Sequence, residues 1–165
     1  EMTAITRLLA SPGGQPDRLM ALMPTHLTPQ LGNDKTRGFQ VINRPYSVLL
    51  FIQSPMYKER VKEDYVFIME GDHLMLQPMP NLATETTPAG FFFPYMSPRQ
   101  VPDHPRVVGK YYKGPLDHVQ ATGPSPAIMH VKMMEDIAQD WYDLSVQLKR
   151  DADADRVFGW VLEMW

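Results

Sequence analysis

The sequence predicts an α/β fold, a mixed sheet flanked by helices in one domain. Tyr65-Val66-Phe67-Ile68-Met69 is an apolar and aromatic run without alternation, which suits a strand covered on both faces. From Val131 to Lys149, the residues Met133, Met134, Ile137, Trp141, Leu144 and Leu148 recur on one helical face. At 165 residues the chain can bury one real core and is too short for two comfortable ones.

The elements follow in order. The 16 prolines and 10 glycines require short elements and many loops. Residues 1–10 read as a helix or a strand, ended by Ser11-Pro12-Gly13-Gly14. Pro24 to Gly38 is polar and turn-rich, so a surface loop is expected, and Phe39-Gln40-Val41-Ile42 reads as a short strand. Pro45 suits the first turn of a helix, where its missing N–H costs nothing, and Ser47 to Gln53 is apolar enough to pack on a sheet. Leu74-Met75-Leu76 reads as another short strand. Pro78 to Pro105 is irregular and holds an aromatic knot, Phe91-Phe92-Phe93-Pro94-Tyr95, expected to pack the core, although a Tyr there can line a sugar site. Gly123-Pro124-Ser125-Pro126 leads into the apolar run Ala127-Ile128-Met129. Asp151 to Asp155 opens a last helix expected over Arg156 to Met164. No internal repeat or domain-scale linker interrupts this order.

Composition excludes several classes. Apolar residues at 44% and charged residues at 21% describe a globular chain. A net charge of −3 gives no electrostatic case for nucleic acid. Without cysteine there is neither a disulfide nor a thiolate metal site. No apolar run approaches the ~18 residues of a membrane span, so no membrane contact is expected from this segment. The chain starts at Glu1 without an initiator Met and stops at Trp165 behind an apolar run, and is expected to be a piece of a longer protein.

The chemistry concentrates at Glu70-Gly71-Asp72-His73, immediately after the strongest strand. In open α/β sheets ligands bind beyond the carboxyl ends of strands. Two acids one residue apart, with Gly71 allowing close backbone approach, could hold a hard divalent cation through oxygen. Such an ion bridges a nucleotide's phosphates and neutralises charge as phosphate leaves. A plain tight turn accounts for the same residues, and on the tetrapeptide alone it is the stronger reading.

The surroundings shift the balance. Asn43-Arg44-Pro45 opens a helix that leads to the strand and then to the acidic turn. INRPYSVLLFIQ, EDYVFIMEGDHLMLQPMPNLATETTPAGFFFPYM, DADADRVFGWVLEMW and EMTAITRLLASPGGQPDRLM together resemble the plant and algal hydroxyproline O-arabinosyltransferases, collinearly over nearly the whole chain. The resemblance implies a GT-A-like fold, incomplete at both ends. It also implies a Golgi-lumenal type II membrane protein that moves L-arabinofuranose from a UDP-linked donor to protein hydroxyproline. By that analogy Asp72 and Glu70 bind the metal, expected to be Mn2+, and His73 stands beside it to support the metal site or contact the donor, with a plain packed histidine as the alternative. Arg44 would contact the donor, with a surface ion pair as the alternative; Thr6 and Arg7 match a Thr-Arg pair near the nucleotide. Glu163 matches an acidic motif beside the acceptor, where a carboxylate could take the proton of the incoming hydroxyl; the alternative is the wet side of an amphipathic helix. Asp155 and Ser125 would touch the acceptor, Asp155 being equally suited to a helix N-terminus.

Two departures from the family pattern bear on the site. Gly71 replaces a proline before Asp72, and Pro124 replaces an asparagine before Ser125, removing an amide that could contact sugar or acceptor. A related serine-galactosylating family has Asp-Ala-Asp at the turn, so Glu70-Gly71-Asp72-His73 favours the arabinosyl branch. The uridine-cradling first unit and a late metal-binding histidine are expected outside these residues, so the fragment alone could be inactive. A non-catalytic relative that binds glycan or hydroxyproline-rich protein is the competing expectation.

Overall fold

The computed structural model describes residues 4–165; residues 1–3, part of the segment read above as helix or strand, lie outside it. Strand β1 (Arg7–Ser11) resolves that choice and ends at the 3-10 turn Pro12–Gly14. Gly13 and Gly14 adopt φ of 62° and 67° there, a left-handed conformation open to glycine. Strand β2 (Thr25–Pro29) pairs parallel to β1, Arg7 opposite Thr25 and Ser11 opposite Pro29. The loop expected over 24–38 is therefore corrected: it holds a strand and a short helix α1 (Asn33–Thr36). Thr28 is buried, with its hydroxyl 3.0 Å from Ser47 Oγ and 3.4 Å from the Leu9 carbonyl.

The strand expected at Phe39–Ile42 is instead a 3-10 turn, Gln40–Ile42, running straight into helix α2 (Asn43–Gln53). Asn43 fixes this junction. Its Oδ1 accepts from Leu31 N at 2.8 Å, and its Nδ2 donates to the Gln40 carbonyl at 2.8 Å. Pro45 sits in the first turn of α2 as expected, and Val48, Leu49 and Phe51 carry the helix into the core. Helix α3 (Pro55–Arg60) follows, with Ser54 Oγ accepting from Tyr57 N at 3.3 Å as its cap.

A second sheet contains β3 (Tyr65–Ile68), β4 (Ala89–Gly90) and β5 (Ala127–His130), in the antiparallel order β3-β5-β4. Here a correction applies. The unalternating run at β3 is an edge strand, half-buried along its length, and the central strand is β5, whose Ala127, Ile128 and Met129 are buried. Only Val66 and Ile68 of β3 pack against the main core cluster. Leu74-Met75-Leu76 forms no strand; with no partner strand, Leu74 and Leu76 are left 84% and 92% exposed. The aromatic knot likewise stays outside the core: Phe91, Phe92 and Tyr95 are exposed, and the neighbouring Met96 turns inward instead.

Helices α4 (His104–Tyr111), α5 (Val131–Arg150) and α6 (Ala152–Phe158) complete the fold. The buried stripe of α5 is Met134, Ala138, Trp141, Ser145 and Leu148, and Ile137, expected on that stripe, is partly exposed. Asp151 caps α6 by accepting from Asp153 N and Ala154 N. The last helix stops at Gly159 (φ 54°) and tightens into a 3-10 turn over Gly159–Met164, where one long helix was expected. One buried cluster joins α2, β5 and α5, and another joins α4, the end of α5, α6 and that final turn. Among the described residues no helix is long and apolar enough to cross a membrane.

Candidate active site

Arg44 occupies the second position of α2, close to the end of β3 and beneath the final 3-10 turn. Its Nη2 lies 2.8 Å from Glu70 Oε2, and its Nη1 donates to Glu163 Oε1. One planar guanidinium thus holds, on separate nitrogens, two acids that are far apart in sequence. The ion pair expected as the alternative for Arg44 exists, and its partners are two of the candidate site residues.

Glu163 is 1% exposed, so the wet helical face considered for it is excluded. The turn that carries it is anchored by Trp141, whose Nε1 donates to the Glu163 carbonyl at 2.6 Å. Burial pushes the Glu163 carboxyl up to about 7, with nearby Glu70 adding to the rise and Arg44 opposing it. Its Oε2 is buried with no hydrogen-bond partner among the described residues. Desolvation outweighs the single cation because one carboxylate oxygen lacks any donor.

Below Arg44 the acidic turn closes on itself. His73 N donates to the Glu70 carbonyl at 3.2 Å, and Glu70 N donates to His73 Nδ1 at 3.2 Å. Glu70, Asp72 and His73 each offer a ligand atom within 4.8 Å of one another, and Asp72 is exposed. The segment is a turn, and that turn brings Glu70, Asp72 and His73 together. While Nδ1 accepts from Glu70 N, the neutral ring carries its proton on Nε2, so His73 orients the loop and must release that bond to ligate.

The remaining candidates lie around or away from this centre. Ser125 is buried, its hydroxyl without a partner among the described residues, in a loop pressed on the final turn: a Cβ at Gly123 would lie 2.5 Å from Met164 Cε. Asp155 sits in the first turn of α6 and pairs with Lys149 at 2.6 Å, the helix-terminal role anticipated for it. Arg7 forms its ion pair with Asp17, at 2.6 Å, and donates from Nε to Thr25 Oγ1 at 3.2 Å; these contacts do not join it to Arg44. Thr6, just ahead of β1, has no part in the Arg44 contacts. Two neighbours escaped the sequence reading. Trp160 meets Tyr95 in a tilted pair with ring centroids 5.2 Å apart, and Tyr95 feels Glu70, which adds to the upward shift that burial gives its phenol. Trp141 reads as core from its spacing, and nothing in that spacing announces its bond to Glu163.

The profile of the hydroxyproline O-arabinosyltransferase family N-terminal domain matches residues 1–165. The chain belongs to the hydroxyproline O-arabinosyltransferase family. It is 38% identical over 99% of its length to hydroxyproline O-arabinosyltransferase NOD3 of Pisum sativum, covering 47% of that protein. It is 36% identical over 99% of its length to hydroxyproline O-arabinosyltransferase PLENTY of Lotus japonicus, covering 44% of it. Hydroxyproline O-arabinosyltransferase 1 of Arabidopsis thaliana is 36% identical over 100% of the chain, which covers 43% of that relative. The chain thus spans slightly less than half the length of these family members. No solved structure matches it.

Proposed function

We propose that this domain supplies the cation seat and the acceptor-side carboxylate of a transferase that moves L-arabinofuranose from a UDP-linked donor to protein hydroxyproline. The observation that carries the reading is the bridge Glu163–Arg44–Glu70 beside Asp72 and His73. Carboxylate oxygens with an adjacent imidazole suit a divalent ion such as Mn2+. Bound there, the ion would offset negative charge on the departing diphosphate. Glu70, Asp72 and His73 would hold it, and Arg44 would keep Glu70 aimed.

Glu163 is the proton acceptor in this reading. A carboxyl titrating near about 7 is a stronger base than an ordinary glutamate and is half-deprotonated at neutral pH. It would take the hydroxyl proton of hydroxyproline as the oxygen bonds to the sugar carbon. Arg44, with His73, faces the donor; Ser125 and Asp155 are assigned to the acceptor side and Arg7 to the nucleotide. The GT-A type of fold and a Golgi-lumenal location for the whole protein belong to the same proposal.

The test uses the full-length protein, a hydroxyproline peptide and a panel of UDP-sugars, with Mn2+ present or chelated. Arabinose transfer that stops on chelation is expected. Peptide binding without transfer of any sugar would instead support a non-catalytic binding protein. UDP binding that is equal with and without Mn2+ would remove the metal assignment.

A further inference from the structure

We propose that His104, in its neutral form, is a positioning residue for Glu163, acting through an aromatic clasp with Phe158 and Trp165. This deepens the acceptor-side role proposed above for Glu163 and rests on it. Phe158 and Trp165 stand immediately on either side of the Gly159–Met164 turn. Their rings stack with centroids 4.7 Å apart and planes 17° apart, so the chain leaves and re-enters the turn at one point. The His104 ring meets both nearly at right angles, 5.4 Å from Phe158 and 5.0 Å from Trp165. Glu163 thus belongs to a loop whose neck is closed by three rings.

The clasp lies in the core. His104 is 3% exposed, Phe158 and Leu162 belong to the second buried cluster, and Trp165 packs against it. Ring packing makes the closure, since neither His104 Nδ1 nor Trp165 Nε1 has a hydrogen-bond partner among the described residues. Trp141 holds the turn elsewhere, through the Glu163 carbonyl. With the neck closed, Glu163 stays buried and its Oε2 meets no donor. Opening the neck would admit water to that oxygen and return the carboxyl toward an ordinary glutamate.

His104 is the member of the clasp that can take up a proton near neutrality. A proton at Nδ1 would put a charge among aromatic rings with no acceptor for it among the described residues. Burial pushes the ring below its ordinary 6.5, against the Ser97 backbone and Asp103, which favour the charged form. Asp103 is the charged side chain acting on it, and Arg106 lies 3.5 Å from Asp103. From α6 it meets Phe158 and from the end of the final turn Trp165, neither of which titrates. The stability that the neutral ring contributes is therefore complete above 6.5 and is lost as pH falls below it, the opposite sign to the raised carboxyl of Glu163.

The experiment melts the full-length protein between pH 4.5 and about 7 as wild type, His104→Phe and His104→Ala, each with and without Glu163→Gln. His104→Phe keeps a ring in the neck and cannot titrate. It should retain the Glu163-dependent pH slope and remove the loss of melting temperature below 6.5. His104→Ala opens the neck and should shrink the Glu163-dependent slope at least about twofold. Trp165→Leu opens it from the turn side and should do the same, which keeps the test decisive if His104→Ala does not fold. An undiminished Glu163 slope in the opened variants overturns the proposal. So does a His104 imidazole that titrates at 6.5 or above by NMR, because the aromatic faces would then welcome the charged ring. These readouts involve no sugar transfer. In the transferring enzyme His104→Ala should lower kcat by about tenfold, move the acid limb of the pH–rate profile down, and spare the donor KM. Transfer by His104→Ala with the wild-type kcat and pH profile sinks the clasp alone. Coupled pH slopes in a wild type that transfers no sugar sink the arabinosyl reading alone.

Discussion

At the residue scale, Glu163 has one oxygen on Arg44 and the other facing no donor, and that asymmetry sets its proton affinity. The folded protein holds this carboxyl at about 7, against 4.5 for an ordinary glutamate. Between those values the folded state binds more protons than the unfolded one, so stability from this group falls as pH rises from 4.5 through 7. Arg44 and Glu70 are the charged groups facing it, and neither reverses that sign. Glu163→Gln should flatten the dependence of the melting temperature on pH in this window. In the full-length enzyme it should also lower transfer by about 100-fold or more. An unaltered pH slope would show that the carboxyl titrates normally. Asp72→Ala should weaken Mn2+ binding by about tenfold or more, ~1.4 kcal/mol, measured calorimetrically, while leaving unfolding unchanged because the side chain is exposed. The acids were visible in the sequence as a motif. Their union through Arg44 was not, because the partners are separated by 119 residues and no local pattern encodes such a contact.

At the element scale, the site depends on how α5 holds the last turn. Trp141→Phe preserves most of the buried ring but removes the bond to the Glu163 carbonyl. A buried acceptor left without its donor costs about 1–3 kcal/mol, and urea unfolding should register a loss in that range. A change within error would mean the turn is held by packing alone. Helices α2 and α5 were readable because Pro45 and the helical spacing of apolar residues each act locally. Strand β2 was not, since Thr25 and Thr28 look like surface residues until β1 and Ser47 supply their partners. The run in β3 identified a strand but misjudged its place, because continuous apolar sequence says nothing about which neighbours exist. Leu74-Met75-Leu76 failed for the same reason, and Leu74→Ser with Leu76→Ser should change stability by less than ~0.5 kcal/mol.

Across the whole molecule, α4 is tied to α6 by a charge network on the side chains of Arg106, Lys110, Asp151, Asp153 and Arg156. Lys110 and Tyr111 hold the Asp151 carboxyl down at about 2, from 3.8. Its contribution is present above 3.8 and is lost as pH falls through about 2, the opposite sign to Glu163. Raising salt should therefore destabilise the wild type modestly and Asp153→Asn less, as read by thermal unfolding. The mixed α/β character was legible from alternating helix and strand signals, whereas the split into a parallel pair and a separate antiparallel sheet was not, because pairing is decided between distant segments. The bridge through Arg44 also sets an order of events during synthesis. The Glu70–His73 turn can close on its own local bonds as soon as it emerges. Its guanidinium partner cannot be clamped from the other side until Glu163 has been made and Trp141 has seated the turn around it. A nascent chain stalled before Glu163 would therefore carry the Glu70–His73 turn without the clamp that Glu163 places on Arg44.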